Sequence, residues 1–357
     1  MAAAGLTCGW VLWRRYFQTK AGNRIHAASA LFILCGALVT LLAILRSPWG
    51  YRWMLASGLA FAWSMSLCGA WAISTAWRAL APRGFDPRRR HLLLLAAPPA
   101  VMAFAILRGR RDFQLVETEI SIPGLHPDLN GLRLAQLSDI HLSAFLSRAE
   151  LARCVDMANS TRPHVALVTG DLITGIADSV TDCLDELQRL RADAGVLGCM
   201  GNHEAYIRGE SMVEAEALRR GMRFLRRAGQ SLRFGLASIN FTGVDYQPFN
   251  RPYLRGVEKF VREGELNVLL SHNPDVFPVA AAQKWDLVIA GHTHGGQLNV
   301  EILHQNLNAL RAFVTPYVKG LYTRGASSIY VSAGIGTVGV PARIGAPPEV
   351  SLLVLRA

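Results

Sequence analysis

The sequence predicts an α/β domain preceded by a small all-α transmembrane region, and two observations carry this prediction. Residues 1–112 contain 14 Lys or Arg against 2 Asp or Glu, whereas residues 113–357 contain 23 against 24, so the excess positive charge lies in the first third of the chain. That third also contains long apolar runs, while the rest alternates short apolar runs with polar turns. We therefore expect a membrane region, 1–112, and a globular domain, 113–357.

Two apolar runs in the first third are long enough to cross a membrane. Residues 25–45 contain no charged side chain apart from the weak base His26, and residues 53–77 are uncharged with Trp53 and Trp77 at their ends. A hydrocarbon core about 30 Å thick is crossed by about 20 helical residues, and indole side chains favour its two interfaces. We expect both runs to be spanning helices.

A third apolar segment, 92–107, either spans the membrane or lies at its interface. It has only 16 residues, including Pro98 and Pro99, and would reach about 24 Å as a helix. If all three segments span the membrane, nine flanking Lys and Arg residues lie on one side and five on the other. If only two segments span and the third lies at the interface, the counts become twelve and two. Because positive loops stay in the cytoplasm, this pattern favours two spans in the inner membrane and a cytoplasmic globular domain.

The positive charge indicates contact with membrane lipid rather than with nucleic acid. A nucleic-acid-binding protein carries its excess Lys and Arg on the folded face that meets phosphate, whereas here the excess flanks apolar runs. Within the globular domain, the stretch 210–228 has apolar residues near helical spacing and arginines mostly elsewhere. We expect an amphipathic helix there, with a basic face that is either solvated or turned to anionic lipid.

Short elements of both kinds are predicted along the globular domain. Apolar and polar residues alternate over 115–120, which predicts an opening strand. Ser147 and Glu150 have the spacing of a capping box, which predicts a helix over 148–159. The apolar run 165–169 is then followed by a Gly-Asp turn and an amphipathic stretch, the unit from which α/β domains are built.

The six cysteines form no Cys-x-x-Cys pair, and half of them lie in the apolar third of the chain. We expect them to be reduced, although their spacing leaves a disulfide between Cys154 and Cys183 open.

Five predicted strands end in polar residues suited to metal binding. The strands are expected at 132–137, 165–169, 196–200, 266–271 and 285–290. Strand-end loops on one edge of a sheet converge in space. The residues they deliver are Asp139, His141, Asp171, Asn202, His203, His272, His292 and His294. Carboxylate, imidazole and amide donors without thiolates suit borderline-hard divalent ions. We expect His126, His164 and His304, which lie elsewhere, to be structural.

These motifs resemble those of the calcineurin-like metallophosphoesterases: Asp-x-His, Gly-Asp, Gly-Asn-His-Glu, a later His, and Gly-His-x-His, in that order over residues 113–357. The Gly-His-Thr-His-Gly-Gly-Gln segment and the tail 330–336 look like the membrane-anchored subgroup, the transmembrane proteins with a metallophosphoesterase domain. The resemblance implies a two-sheet sandwich flanked by helices (αββα). Ala333 stands where the subgroup often has Arg, so Arg343 becomes the nearby candidate for substrate binding.

The resemblance also implies two divalent metal ions, Mn, Fe or Zn, and a role for each motif residue. The first ion would be held by Asp139, His141, Asp171 and His294, and the second by Asp171, Asn202, His272 and His292. Asp171 would bridge, since one carboxylate can serve two cations about 3.5–4 Å apart. His203 would have the catalytic role of contacting the phosphoryl oxygen or protonating the leaving group; alternatively, it orients a ligand through a hydrogen bond. Glu204 is expected to orient ligands.

The function so implied is that of a membrane-bound dinuclear-metal phosphoesterase acting on a phosphodiester or pyrophosphate bond. Relatives in the resembled group include hydrolases of UDP-2,3-diacylglucosamine, an amphiphilic substrate that would explain membrane attachment. One alternative is a broad phosphodiesterase acting outside the cytoplasmic membrane. Another is a catalytically silent membrane scaffold, for which we would expect a lost ligand, and none is lost. The oligomeric state is left open.

Overall fold

The computed structural model describes residues 1–16, 18, 20–44, 54–80, 87–248, 252–302, 305–307 and 314–357. They divide into two compact units. The helical unit comprises Met1–Arg110 and Val338–Ala342, and the sandwich unit comprises Arg111–Thr337 and Arg343–Ala357. His304, expected to be structural, lies outside the described residues.

The helical unit contains four helices in its described part: α1 (Ala2–Tyr16), α2 (Lys20–Ile44), α3 (Met54–Leu80) and α4 (Pro87–Leu107). Two described segments are long and apolar enough to cross a membrane by length and composition: Asn23–Leu41 in α2, with mean hydropathy 1.7, and Ala56–Ala76 in α3, with 1.3. The third apolar segment lies in α4, which keeps Pro98 and Pro99 inside the helix. The sequence predicted no element where α1 forms.

Small residues allow α2 and α3 to pack closely. A Cβ atom on Gly36 would overlap the side chain of Ala60, so only glycine fits at that crossing. The hydroxyl groups of Thr40 and Ser57 form a hydrogen bond between the same two helices. Close approach at small residues and hydroxyl contacts are how helices associate in lipid, where apolar surface alone gives no preference for a neighbouring helix.

The sandwich unit is built around two sheets. The first contains β1 (Gln114–Ser121), β2 (Arg133–Leu137), β3 (Val165–Thr169), β4 (Val196–Cys199), β5 (Met222–Phe224) and β14 (Glu349–Arg356). Its strand order is β1-β14-β2-β3-β4-β5, and all neighbours are parallel except β14 and β2.

The second sheet contains β6 (Ala228–Phe234), β7 (Ala237–Gly243), β8 (Leu266–Leu270), β9 (Leu287–Ala290), β12 (Gly320–Arg324) and β13 (Ser327–Val331). Its order is β12-β13-β9-β8-β7-β6, with antiparallel hairpins at both edges and parallel pairs in the centre. A separate hairpin joins β10 (Val300–Ile302) and β11 (Gln305–Leu307).

One apolar core lies between the two sheets, and helices cover their outer faces. Leu134 and Leu167 of the first sheet share a fully buried cluster with Ile239 and Val268 of the second. The helices α5 (Arg148–Ser160), α6 (Val180–Leu187) and α8 (Glu210–Arg219) bury apolar residues against the first sheet. The helix α9 (Phe277–Ala282) does so against the second, and the short α7 (Asn202–Tyr206) follows β4. The predicted αββα sandwich is thus confirmed.

A buried glutamine connects the two sheets beside the strand ends. The side-chain amide of Gln136 on β2 donates to Thr169 Oγ1 on β3 at 2.8 Å and to the carbonyl oxygen of Ala290 on β9 at 2.9 Å. In a buried environment such hydrogen bonds are costly to lose, because the groups left behind have no water to replace them. Gln136 therefore fixes the relative position of strands whose ends carry predicted ligands.

The local predictions are confirmed except over 210–228. The capping box of Ser147 and Glu150 starts α5 as expected. Helix α8, however, ends at Arg219, and Gly221, with φ of +78°, turns the chain into β5, which extends the first sheet. The prediction of one helix over the whole stretch is wrong, because pairing with β4 buries Met222 and Phe224 in the core.

Three of the five arginines in this stretch have acidic partners. Arg219 pairs with Glu216, Arg220 with Asp185 and Glu216, and Arg226 with Asp245 and Glu214. Arg223 and Arg227 instead donate to Gln230 and to the carbonyl oxygen of Arg255. These contacts favour the interpretation of an ordinary solvated surface over that of a lip facing anionic lipid. Cys154 and Cys183, whose pairing the sequence left open, are buried free thiols.

Candidate metal centre

All the strand-end residues predicted from sequence converge on one edge of the sandwich. In the first sheet, Asp139 and His141 follow β2, Asp171 follows β3, and Asn202 and His203 begin α7 after β4. In the second sheet, His272 follows β8, and His292 and His294 follow β9. The parallel strands of both sheets end at this edge, so residues more than 150 positions apart in sequence come into contact.

Five of these residues have an unfavourable backbone conformation. The φ angle is positive at Asp139 (50°), His141 (48°), Asp171 (55°), His292 (75°) and His294 (52°). Side chains other than glycine rarely adopt this region, and residues held there cluster at functional sites. Hydrogen bonds between the loops hold them: the N–H of His141 donates to the carbonyl of Asp171 at 3.0 Å, and that of His292 donates to Asp139 Oδ1 at 2.9 Å.

Asp139, His141 and His294 form the first group of donors. Their ligand atoms all lie within 4.8 Å of one another. The Nε2 atoms of His141 and His294 approach to 3.2 Å, and His294 Nε2 lies 3.4 Å from Asp139 Oδ1. Two imidazole nitrogens and a carboxylate oxygen aimed at one point are the donor set of a divalent cation.

Asp171, His272 and His292 form the second group, again within 4.8 Å of one another. His272 Nε2 lies 3.1 Å from Asp171 Oδ2 and 3.2 Å from His292 Nδ1. The side-chain oxygen of Asn202 is 3.1 Å from the same His272 nitrogen. Because Asn202 is buried with its oxygen turned to this point, it completes a second set of four donors.

One oxygen of Asp171 faces both groups. Oδ2 lies 3.1 Å from His272 Nε2 in the second group and 3.5 Å from His141 Nε2 in the first. The other oxygen, Oδ1, accepts a hydrogen bond from the N–H of His203 at 2.9 Å, which fixes the carboxylate plane. Asp171 is therefore the residue positioned to serve two cations at once.

Backbone carbonyls determine which nitrogen of two histidines faces the centre. His272 Nδ1 lies 2.7 Å from the carbonyl oxygen of Thr169, and His203 Nδ1 lies 2.6 Å from that of Thr174. A carbonyl oxygen only accepts, so Nδ1 carries the hydrogen in both rings and Nε2 presents its lone pair when the ring is neutral. No sequence pattern indicates these two contacts, because the partners are main-chain atoms.

The electrostatics of the two groups suit cations. Burial lowers the pKa of His292 to about 4, and burial together with Arg343 lowers that of His294 to about 3, so both rings are neutral donors at pH 7. Burial also lowers the pKa of His272, but the carboxylates of Asp171 and Asp139 outweigh it and raise the pKa to about 10. In effect a proton takes the place that a metal ion would occupy between these carboxylates and His272. The residues present thus fit two divalent ions.

His203 lies beside both groups with its Nε2 turned inward. That atom is 4.0 Å from Asp171 Oδ2, and the ring packs edge-on against His141 with centroids 4.6 Å apart. His141, Asp171 and His203 also place their ligand atoms within 4.8 Å of one another. The geometry is thus compatible with contact to a substrate phosphoryl group and with metal ligation.

Glu204 ties two ligand loops together. Its buried carboxylate accepts hydrogen bonds from the N–H groups of Asp171 at 3.0 Å, Leu172 at 2.7 Å and Gly201 at 2.8 Å. Burial and the neighbouring charge of Asp171 raise the pKa of Glu204, and the three N–H donors act against that shift. Its contacts are those of a residue that orients Asp171 and Asn202.

Arg343, the candidate for substrate binding, lies beneath the His294 loop. The side chain is 2% exposed. Its guanidinium donates to the carbonyl oxygens of Gly334 at 3.0 Å, Ala346 at 3.1 Å and Gly336 at 3.1 Å. A longer hydrogen bond of 3.4 Å to the carbonyl oxygen of His294 braces the ligand loop, and a contact with substrate stays a prediction.

Ser138 is not among the residues predicted from sequence, yet its hydroxyl donates to Asp139 Oδ2 at 2.6 Å. The connection made by Gln136 was not predicted either. Ser138 stands immediately before the Asp-x-His motif, and this adjacency was the one available signal. The two histidines described as structural serve that purpose: His164 Nδ1 accepts from the N–H of Arg133, and His126 caps a short turn.

Comparison with known proteins shows which protein family this domain resembles. The sequence model of the calcineurin-like phosphoesterases matches residues 132–296, which include every predicted ligand. Residues 132–296 of this chain are thus similar to a calcineurin-like phosphoesterase domain. The fold of the family uses a dinuclear divalent metal centre, and the two donor groups of this domain meet that requirement.

Relatives of the calcineurin-like domain include membrane and bacterial proteins. A Danio rerio protein named "Transmembrane protein with metallophosphoesterase domain" is 28% identical over 282 residues, covering 75% of this chain and 63% of the relative. The Bacillus subtilis protein named "Uncharacterized metallophosphoesterase YkuE" is 27% identical over 232 residues, covering 64% of this chain and 80% of the relative. Among solved structures, the Haemophilus influenzae NAD nucleotidase aligns with 57% of this chain and 45% of its own at TM-score 0.40 and 14% identity.

The substitution Glu204→Gln should loosen the Asp171 loop. The new amide group turns a donor toward backbone N–H groups that need an acceptor, at a cost of about 1–3 kcal/mol. We expect a Tm lower by about 2–10 °C and a lower metal content, measured by differential scanning fluorimetry and elemental analysis. Glu263→Gln, at an exposed position, should change neither. An unchanged Tm and metal content in Glu204→Gln would contradict the role given to this residue.

Metal affinity should rise with pH. Because the pKa of His272 is about 10 without metal, an ion that binds at lower pH must displace a proton. Between pH 6 and 9 this one group should raise the affinity by about tenfold per pH unit. Calorimetric titration in buffers of different ionisation enthalpy should detect about one proton released per chain. The variant His126→Gln, at a half-exposed ring, should keep the slope; a pH-independent affinity would refute the assignment.

Proposed function

We propose that this protein is a membrane-bound, metal-dependent phosphoesterase that hydrolyses a phosphodiester or pyrophosphate bond. The observation that carries the proposal is the position of Asp171 Oδ2 between two donor groups, 3.1 Å from His272 and 3.5 Å from His141. A silent scaffold would have no need of strained backbone at five ligand positions. The chain spans 63% of the Danio rerio relative, so its activity is proposed from its own residues.

The residues of the centre have separate roles in the proposed hydrolysis. Two divalent ions bound there would neutralise phosphate charge and lower the pKa of a bound water molecule. Asp171 keeps the two donor groups at a fixed separation, and Glu204 and Ser138 hold the carboxylate-bearing loops. His203, whose Nδ1 donates to Thr174, has Nε2 available to hold a proton and donate it to the leaving oxygen.

The membrane attachment favours an amphiphilic phosphoester as substrate. The helical unit has two candidate spans flanked by basic residues, and relatives are named as transmembrane proteins. A substrate with an apolar part would be concentrated at the surface where the enzyme is anchored. UDP-2,3-diacylglucosamine is a candidate of this kind, in keeping with the resemblance described above. We place the protein in the inner membrane with its catalytic domain toward the cytoplasm, where nucleotide-linked lipids are found.

Asp171→Ala should abolish hydrolysis and release metal, because one oxygen of Asp171 lies within 3.5 Å of a histidine nitrogen in each donor group. Turnover of bis(p-nitrophenyl) phosphate and metal content should both be measured on the full chain in detergent. Asp193→Ala, at an exposed carboxylate, is the matched control and should keep both. Two metal ions per chain and near-normal turnover in Asp171→Ala would disprove the dinuclear proposal.

His203→Ala should retain both metal ions but slow turnover by about 10²–10⁴, the usual contribution of a positioned proton donor. The loss should be smaller for a leaving group of low pKa, which needs no proton, and this difference separates proton donation from a structural role. His126→Ala serves as the control. Loss of an ion from the His203 variant would instead make this residue a ligand, as the geometry of its group also allows.

The topology should place both ends of the two-span pair in the cytoplasm. Green fluorescent protein fused after Ala357 should fluoresce, and alkaline phosphatase at the same point should be inactive, because the charge pattern keeps the basic flanks inside. Fusions placed between residues 45 and 53 should give the opposite result and serve as the internal control. Active phosphatase at Ala357 would indicate three spans and an extracytoplasmic phosphodiesterase, and would exclude a UDP-linked lipid as substrate.

A further inference from the structure

Two tyrosines border the metal centre and connect its two sides. Tyr206 lies 5.4 Å from the ring of His203, Tyr246 lies 6.5 Å from Tyr206, and His292 lies 5.8 Å from Tyr246, all measured between ring centroids. We call these four rings the aromatic arc. It runs from His203, beside the first donor group, to His292, a member of the second.

The arc presents aromatic surface to the outside. Tyr206 is the last residue of α7, the helix that begins with Asn202, and it is 57% exposed. Tyr246 follows the end of β7 and is half-buried. Among the described residues, neither phenol hydroxyl has a protein hydrogen-bond partner. An exposed aromatic side chain with an unpartnered polar tip contributes little to folding and suits recognition.

Tyr246 also offers a polar group. Its phenol hydroxyl can donate a hydrogen bond to an anionic or carbonyl oxygen. Ile176, 65% exposed, lies two residues beyond Thr174, whose carbonyl oxygen contacts His203.

The spacing suits a ligand with phosphate at one end and a ring at the other. His203 Nε2 is 4.0 Å from the shared carboxylate oxygen of Asp171, and the Tyr206 ring follows 5.4 Å beyond the His203 ring. A phosphoryl group at the donor groups therefore leaves the rest of a small phosphoester within reach of Tyr206. Planar rings stack on aromatic side chains irrespective of their exact identity, because each has a π face.

We propose that Tyr206 and Tyr246 form a stacking platform for a planar ring of the substrate, such as a nucleobase. This inference rests on the proposed function and narrows it to phosphoesters that carry such a ring. Tyr206 supplies the exposed face, and Tyr246 packs edge-on against it and holds it in place. An acyl chain would gain only apolar contact from the same surface and would not need a planar partner.

The test compares two sugar phosphates, one with a nucleobase and one without. Adenosine 5′-monophosphate and ribose 5-phosphate share phosphate and sugar, so the difference in their affinities isolates the base. Isothermal titration calorimetry on the manganese-loaded full chain in detergent should give a dissociation constant at least about tenfold lower for the nucleotide. Tyr206→Ala should remove most of this difference by weakening nucleotide binding, and Tyr206→Phe should preserve it, since the ring remains.

A control variant and the measured outcomes distinguish failure of the stacking platform from failure of the proposed activity. Leu236→Ala changes another exposed apolar side chain, 82% exposed immediately before β7, and should leave the affinity ratio unchanged. Equal affinities of the two phosphates in the unaltered protein would overturn the inference, as would a ratio unaffected by Tyr206→Ala or absence of binding by both. Base-dependent binding without any hydrolysis would instead leave the platform standing and overturn the proposed activity.

Discussion

The convergence of carboxylates and imidazoles at one edge of the sandwich is the constraint on which the rest of the domain depends. His141 and His294 bring two ring nitrogens to 3.2 Å, and His272 and His292 do the same. Nitrogens this close, without a cation between them, would share a proton or repel one another. The surrounding structure must therefore hold these side chains where their own electrostatics disfavour them, and the same arrangement makes them a strong site for divalent ions.

The hydrogen-bond network behind the ligands supplies that restraint. Glu204 gathers three N–H groups from two ligand loops, and Gln136 joins the sheets just below the strand ends. Arg343 braces the carbonyls under the His294 loop. Glu204 contacts the backbone of ligand residues, whereas Gln136 and Arg343 contact atoms of the strands and loops beside them. Positive φ angles at five ligands can persist because these buried contacts, each expensive to leave unmade, outweigh the local strain.

The helical unit and the sandwich unit follow different physical rules. Close approach at Gly36 and a hydroxyl contact between Thr40 and Ser57 join helices whose apolar surface would be equally stable against lipid. The sandwich has a core between its sheets, and its charges are nearly balanced along residues 113–357. Positive charge is concentrated only where the chain flanks its apolar runs, which is the pattern of helices whose ends lie at a membrane interface.

The sequence by itself determined the division between apolar helices and an α/β domain, the strands that carry the motif residues, and the residues that meet at the strand ends. These depend on local periodicity and on motifs, which are written along the chain. Only the tertiary structure decided that Asp171 turns one oxygen to both donor groups, that main-chain carbonyls orient His203 and His272, and that Arg343 lies beneath a ligand loop. It also ended α8 at Arg219, where local periodicity suggested a longer helix. Residues 222–224 are more stable paired with β4 as a strand than they would be as a continuation of the helix. Each of these outcomes depends on partners distant in sequence, and neither main-chain contacts nor long-range pairing leave a pattern in neighbouring residues.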